Sequence, residues 1–370
     1  MCFLVGKRMI DVPLFKVFVD VPAALKNLEE VLSSGYIGQG PKTDSFERQF
    51  AEHHGCDPEL VVLTNSCTSA LDLAYELCEV GPGSDVVTSP VTCTASNTPI
   101  VKRNARPVWA DVDHWTGLID QLDVVRKIGV RTKAVVAVEW GGQRVEMPKL
   151  PVPLVVDRAH SFPMKGEKND SYPGTVFYCY SFQAIKHVTM SDGGALVCPD
   201  LESAKKARLL RWYGLDRRSG ASFRCAQNIQ PETLGFKYQP NDVTAAIGLA
   251  NLPHAERIVE AHRANALWYS TNLEVDGRLL YVPLVDEFSS HWIFTLIVEE
   301  RDGFIRHMEE RGIAVSPVHA RNDKHDGFKY PSGPLPGVDF FDAHQVSIPV
   351  GWWVTPEQRE RVAQAVHDWR

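Results

Sequence analysis

The chain has 370 residues, of which 44% are hydrophobic and 23% charged, with a net charge of −7. That length exceeds one ordinary core and implies two domains, or a large one with a smaller appendage. The composition is that of a soluble globular protein; the acidic balance argues against non-specific nucleic-acid binding, and no apolar run approaches the roughly 18 residues of a membrane span.

The N-terminal stretch "MCFLVGKRMIDVPLF" lacks the apolar segment and cleavage site of a signal peptide, so none is expected. The cysteines at 2, 56, 67, 78, 93, 179, 198 and 225 form no CxxC pair. Several lie in apolar runs, where cysteine acts as a small hydrophobe, so a reducing, cytoplasmic setting without disulfides is expected, and no metal site.

In chain order, "LVVLT" (60–64) predicts a buried strand. "SCTSALDLAYELCEVG" follows with apolar positions 67, 70, 71, 74, 77 and 78, a helix period closed by Gly81. Further strands are predicted at 85–89, 107–112, 134–140, 153–157, 175–182 and 194–198. Continuous apolar runs bounded by turn residues predict an α/β fold with a mostly parallel sheet covered on both faces. Ligands of such sheets gather beyond the carboxyl ends of the strands.

After about residue 250 the pattern changes. A long helix within "LPHAERIVEAHRANALWYSTNLE", a strand in "HWIFTLIVEE" and a terminal helix in "PEQRERVAQAVHDW" predict a smaller α+β domain. The expected division is an arm at 1–20 joining the small domain, a large domain at 21–250 and the small domain at 251–370. Residues 320–347 read as loop-rich, which in a compact domain points to function.

Three strand ends carry chemistry. Ser66-Cys67-Thr68-Ser69 opens a helix, where hydroxyls and free N–H groups either cap the helix or bind an anion. Asp157 ends an apolar run, with His160 three residues later; a carboxylate there is costly unless paired. Lys186, five residues after Ser181, sits among apolar and small residues. It is either a lysine whose stem covers apolar surface or a desolvated amine, and desolvation frees the nucleophilic form that bonds carbonyls. Together they supply what pyridoxal 5'-phosphate requires: a phosphate site, a carboxylate for the pyridine nitrogen and an amine for its carbonyl.

The order and spacing of further motifs carry a family resemblance. "SSGYIGQGPKTDSFERQFAEHHG", "TNSCTSALDLA", "GPGSDVVTSPVTCTASNTPI", "RPVWADVDHWTGLID", "VVDRAHSF", "SFQAIKHVTMSDGGALV", "RWYGLDR" and "NDVTAAIGLANL" resemble the DegT/DnrJ/EryC1/StrS sugar aminotransferases over nearly the whole chain. The resemblance implies pyridoxal-phosphate fold type I, with an aspartate-aminotransferase-like large domain. It implies that Lys186 bonds the cofactor and shuttles protons, that Asp157 pairs with the ring nitrogen, and that His160 lies against the ring or its phenolic oxygen. Ser181, Thr68 and the backbone of Cys67 would hold the phosphate, with Gln183 beside the lysine.

The chain also departs from the family pattern. Cys67 stands where many members have glycine, Cys93 where many have an aromatic residue over the ring, and Lys237 where many have an asparagine that reaches a neighbouring subunit's phosphate. Relatives that dehydrate sugars carry histidine at the lysine position; here that residue is Lys186, and His187 follows it, which favours transamination.

The resemblance implies amino transfer from an amino acid, glutamate being expected, to C3 or C4 of a nucleotide-linked keto-sugar. The cofactor would alternate between pyridoxal and pyridoxamine 5'-phosphate, in a homodimer with shared active sites and without nucleic-acid or membrane partners. His319 and Arg321 are candidate substrate contacts; Arg211, Arg217, Arg218 and Lys324 are further loop cations for a diphosphate. Another pyridoxal-phosphate reaction, such as sugar dehydration or use of a non-nucleotide acceptor, and a non-catalytic regulatory protein that keeps the cofactor site are the alternatives.

Overall fold

The structure is a computed structural model that describes residues 4–5, 8–165, 172–216 and 227–369. A short pairing of β1 (Leu4–Val5) with β2 (Arg8–Met9) precedes α1 (Val21–Ser34) and α2 (Pro41–His54). Both helices begin with proline in the first turn and end at a glycine of positive φ, Gly35 and Gly55. Proline lacks the N–H that a helix start leaves unpaired, and glycine alone enters the left-handed region without cost.

Then come β3 (Val61–Thr64), α3 (Cys67–Leu77), β4 (Asp85–Thr88), α4 (Thr94–Lys102), β5 (Arg106–Trp109), α5 (Gln121–Lys127), β6 (Thr132–Val138), β7 (Leu154–Arg158), β8 (Val176–Ser181), β9 (Gly194–Val197) and α6 (Leu201–Leu210). The strands form one seven-stranded sheet of order β3-β9-β8-β7-β6-β4-β5. Only β9 runs against its neighbours. The expected mostly parallel sheet is therefore present. Alternate residues serve opposite faces: Leu154 and Val156 join a core with Phe46, Phe50 and Tyr180, while Val155 joins another with Leu71, Tyr75 and Phe177. Burial on both faces explains why the strands read as continuous apolar runs rather than alternating ones.

The chain continues through α7 (Asp242–Asn251), α8 (Ala255–Asn272), β10 (Leu279–Tyr281), β11 (Phe294–Val298), α9 (Arg301–Glu310), α10 (Pro336–His344), β12 (Gln345–Ile348) and α11 (Pro356–His367). β10, β11 and β12 make an antiparallel sheet whose core includes Tyr269, Phe294, Phe304 and Val362. Val12 belongs to this core and bridges Ile313 in parallel fashion. A cluster of Trp109, Trp140, Trp292, Ile297 and Phe341 packs residues of the two sheets together.

Three expectations need correction. α3 does not run to Gly81: Glu79 takes a left-handed conformation (φ 57), and the Val80 N–H closes back onto the Tyr75 carbonyl at 2.9 Å. The buried Val80 supplies the apolar contact that often accompanies such a stop. The strand of "HWIFTLIVEE" is limited to 294–298, because His291 and Glu300 have positive φ (47 and 50) and turn the chain at both sides. The stretch 320–347 is not all loop, since its second half forms α10, opened by Pro336, and β12.

Candidate active site

Asp157 is the penultimate residue of β7, and the loop that follows β8 carries Lys186. The Asp157 carboxylate is buried and accepts hydrogen bonds from Ser96 Oγ (2.7 Å) and the Ala159 N–H (3.0 Å). Its neighbours include Cys67 Sγ at 4.0 Å. Burial raises its pKa, while the Ser96 and Ala159 donors and the nearby Lys186 charge oppose that rise. A carboxylate held this way can stay ionised once a cation faces it.

Lys186 is half-buried, and the protein packed around its amine partly desolvates it. Desolvation lowers its pKa to about 8, against the pull of Asp157, Cys67 and Cys93. The amine lies 3.5 Å from the centre of the Trp292 ring. Lysine with so low a pKa carries a useful fraction of neutral, nucleophilic amine near neutral pH.

His160 is buried, and its Nδ1 accepts from the Gly141 N–H at 3.2 Å. Burial, with a smaller push from Lys186, holds its pKa well below the usual histidine range. The neutral ring therefore keeps its proton on Nε2, ready to donate. It packs against Trp292 (4.1 Å between centres) and lies nearly parallel to His319 (5.6 Å, 13°). His319 follows Val318, a β-branched residue at φ 64, and its own N–H closes onto Pro317 O at 2.8 Å. Backbone strain of this kind concentrates at functional positions. Burial lowers the His319 pKa to about 4, and His319 Nε2 has no hydrogen-bond partner among the described residues.

The α3 N-terminus completes the group. Ser66 Oγ accepts from the Ser69 N–H (3.1 Å), and Ser69 Oγ donates to Asn65 Oδ1 (2.6 Å). Ser66 is thus a true cap, and the turn still offers the first N–H groups of an 11-residue helix. Thr68 stands in that first turn, half-buried. Gly194 permits the close packing of β9: a Cβ there would lie 2.4 Å from Cys67 N. Ser181 ends β8 opposite Gly194, and its Oγ accepts from Gln183 N at 3.4 Å. Gln183 is exposed, and its Oε1 accepts from Ile185 N. Cys93, half-buried, is the residue before α4.

The donor set fits pyridoxal phosphate: a partly desolvated amine, a buried carboxylate and a hydroxyl-rich helix start, with neutral imidazoles between. Three of the groups escaped the sequence reading. Trp292 and Ser96 sit in ordinary apolar and helix-start patterns with no local signal, and Gly141 marks itself only as half of a Gly-Gly pair.

The loop cations are placed differently from expectation. Arg321 is held by Asp323 (2.7 and 2.6 Å) and by Asp339, which push its pKa up. Lys324 pairs with Asp342. Arg211 is not a loop cation: it follows α6, is buried and bonds Glu47 (2.7 Å) and the Leu63 carbonyl (2.8 Å). It also lines a separate cavity of about 660 Å³ with Tyr36, Arg208 and Trp212, whose lining does not include Asp157, His160, Lys186 or His319. Arg217 and Arg218 lie outside the described residues. Lys237 is exposed; its carbonyl accepts from Asn65 Nδ2 (3.3 Å) of its own chain.

A family model described as the DegT/DnrJ/EryC1/StrS aminotransferase family matches residues 20–367. A curated relative, the dTDP-4-dehydro-2,3,6-trideoxy-D-glucose 4-aminotransferase of Saccharopolyspora spinosa, is 35% identical over 316 residues, 80% of this chain and 82% of the relative. Among solved structures, AtS13 from Actinomadura melliaura is 34% identical, with a TM-score of 0.87 over 97% of this chain and 99% of its own. The sugar aminotransferase CalS13 from Micromonospora echinospora is 30% identical, with a TM-score of 0.87 over 97% of this chain and 100% of its own. The chain belongs to the DegT/DnrJ/EryC1/StrS aminotransferase family and is an aminotransferase of fold type I.

Proposed function

We propose that this aminotransferase moves an amino group from an amino acid, with glutamate the expected donor, to C3 or C4 of a nucleotide-linked keto-sugar. The observation that carries the reading is the convergence of the partly desolvated Lys186 amine, the buried Asp157 carboxylate and the α3 N-terminus at one end of the sheet. The similar Saccharopolyspora protein, named for a dTDP-linked keto-sugar, supports the acceptor class.

When bound, pyridoxal phosphate supplies the carbonyl that receives the amino group and a ring that accepts electrons. Lys186 is the nucleophile and the proton carrier at the reacting carbon. Asp157 stabilises a protonated ring nitrogen, with Ser96 holding one carboxylate oxygen. His160 would lie against the ring or its phenolic oxygen, with its Nε2 proton free to donate. The N–H groups of Cys67 and Thr68, with the hydroxyls of Thr68 and Ser181, hold the phosphate. Cys93 would border the ring, and Gln183 lies in the lysine loop. His319, with its unpartnered Nε2, faces the sugar. Arg321, neutralised by two carboxylates, orients the segment around His319 rather than lending free charge.

In this reading residues 21–250 hold the cofactor, 251–370 with the arm at 1–20 form the smaller unit, and the enzyme works in the cytoplasm as a homodimer. Lys237 serves the partner subunit's phosphate. The exposed Leu234 and Phe236 just before it support a contact with a second copy (69% and 62% exposed). Mixing Lys186→Ala with Lys237→Ala protomers restores activity if the sites are shared.

The decisive experiment incubates the protein with pyridoxal phosphate and glutamate, then screens nucleotide keto-sugars. Stoichiometric 2-oxoglutarate and an amino-sugar nucleotide are expected. A Lys186→Ala protein that kept the cofactor's absorption band and full turnover would overturn the scheme. A deoxygenated sugar without an amine would replace transamination by dehydration.

A further inference from the structure

We propose that Trp292 is a positioning residue for Lys186, its indole face being the seat of the lysine amine whenever that amine is not covalently engaged. The amine lies 3.5 Å from the ring centre. The contact is built rather than incidental. Trp292 Nε1 donates a 2.9 Å hydrogen bond to the carbonyl of Ile185, so the ring is tied to the residue immediately before Lys186. Phe15 stacks on the indole at 4.8 Å and 22°, and His160 packs at 4.1 Å and 32°. The tryptophan is 2% exposed. Residues from the N-terminal segment, the β7 end, the lysine loop and the approach to β11 thus fix one ring.

The physical role follows from what else faces the amine. Asp157 from β7, Cys67 from α3 and Cys93 before α4 act on it electrostatically; His160, His187 and His319 feel its charge in turn. Among the described residues, no hydrogen-bond acceptor or carboxylate lies within bonding distance of its Nζ. A desolvated ammonium without such a partner is poorly held. The negative face of an indole attracts it without removing it from the site and without competing as a base. A direct ion pair would hold the ammonium more strongly and suppress the neutral form. The indole retains the amine close to where its covalent partner must sit and leaves deprotonation accessible.

The role in turnover rests on the proposed function, but the contact does not, and the test separates them. Lysines of the full-length, cofactor-free chain are reductively methylated with ¹³C-formaldehyde, and the Lys186 signal is assigned by its loss in Lys186→Met. An amine over an indole face experiences ring current, so the Lys186 signal is expected upfield of all exposed lysines. In Trp292→Leu the displacement is lost and the titration midpoint falls by about one pH unit, the size of a desolvated cation–π contact. Trp292→Phe, which keeps a ring but not the bond to Ile185, retains part of the displacement. A wild-type Lys186 signal among the exposed lysines would overturn the inference. So would an unchanged signal and midpoint in Trp292→Leu or Trp292→Phe. Adding pyridoxal phosphate to the unmethylated wild type tests the other reading: with no new absorption band but an upfield Lys186 signal, the cofactor assignment fails and the contact stands.

Discussion

Ser96 Oγ donates a 2.7 Å hydrogen bond to Asp157 Oδ2, from the first turn of α4 to the end of β7. Ser96 is itself held: its hydroxyl meets Thr92 Oγ1 at 2.7 Å, and its carbonyl accepts from Tyr75 OH at 2.7 Å. The next residue, Asn97, donates to Asn322 Oδ1 at 2.8 Å, beside Arg321 and His319. One helical turn therefore braces both the Asp157 carboxylate and the segment that carries Asn322.

Ser96→Ala is expected to raise the Asp157 pKa and weaken pyridoxal phosphate binding. A hydrogen bond to a charged group contributes about 1.5–3 kcal/mol, so the dissociation constant rises roughly 10- to 100-fold. Absorbance titration with the cofactor measures it.

Gly194→Ala places a Cβ 2.4 Å from Cys67 N and from the Ser66 carbonyl carbon. Both are backbone atoms of the helix start, so the turn itself must move. The expected cost is about 1–3 kcal/mol, with weaker binding of inorganic phosphate as well as of the cofactor. Thermal unfolding and phosphate protection of the apoprotein report the two effects.

Glu139→Ala destabilises the fold. Glu139 accepts from Arg158 Nε (3.0 Å), Ser161 Oγ (2.6 Å) and Tyr172 OH (3.1 Å), and both ionic partners are buried. Removing the carboxylate takes the ion-pair partner from a buried guanidinium, which keeps the Tyr180 hydroxyl at 2.9 Å, a loss of about 3–5 kcal/mol. The denaturant midpoint of unfolding should fall accordingly, and less for Glu139→Gln.

Stability should decline as pH falls from about 6.5 toward 4. Burial lowers the pKa of His262, His291 and His319 to about 4, and that of His160 and His187 well below the usual range. The folded pKa lies below the unfolded one, so the unfolded chain takes up protons first. The folded state keeps its full stability above the unfolded value and loses it progressively below. Melting temperatures from pH 7.5 to 4.5 test the sign, and His262→Asn should flatten the slope.

The sheet is legible in the amino-acid sequence alone, which also singles out candidate site residues. Apolar runs flanked by turn residues mark strands because both sheet faces are buried, and Asp157, Lys186 and the Ser66–Ser69 turn announce themselves at strand ends. The sequence also carried the family motifs, which depend on order and spacing alone. Only the tertiary structure decided what surrounds those residues. Trp292 is 106 positions from Lys186, and Ser96 is 61 from Asp157. Arg211, Arg321 and Lys324 looked like free cations until the fold brought Glu47, Asp339 and Asp342 to them. Local pattern reports whether a residue is buried; which partner neutralises, stacks on or hydrogen-bonds it depends on chain crossings that no local window contains.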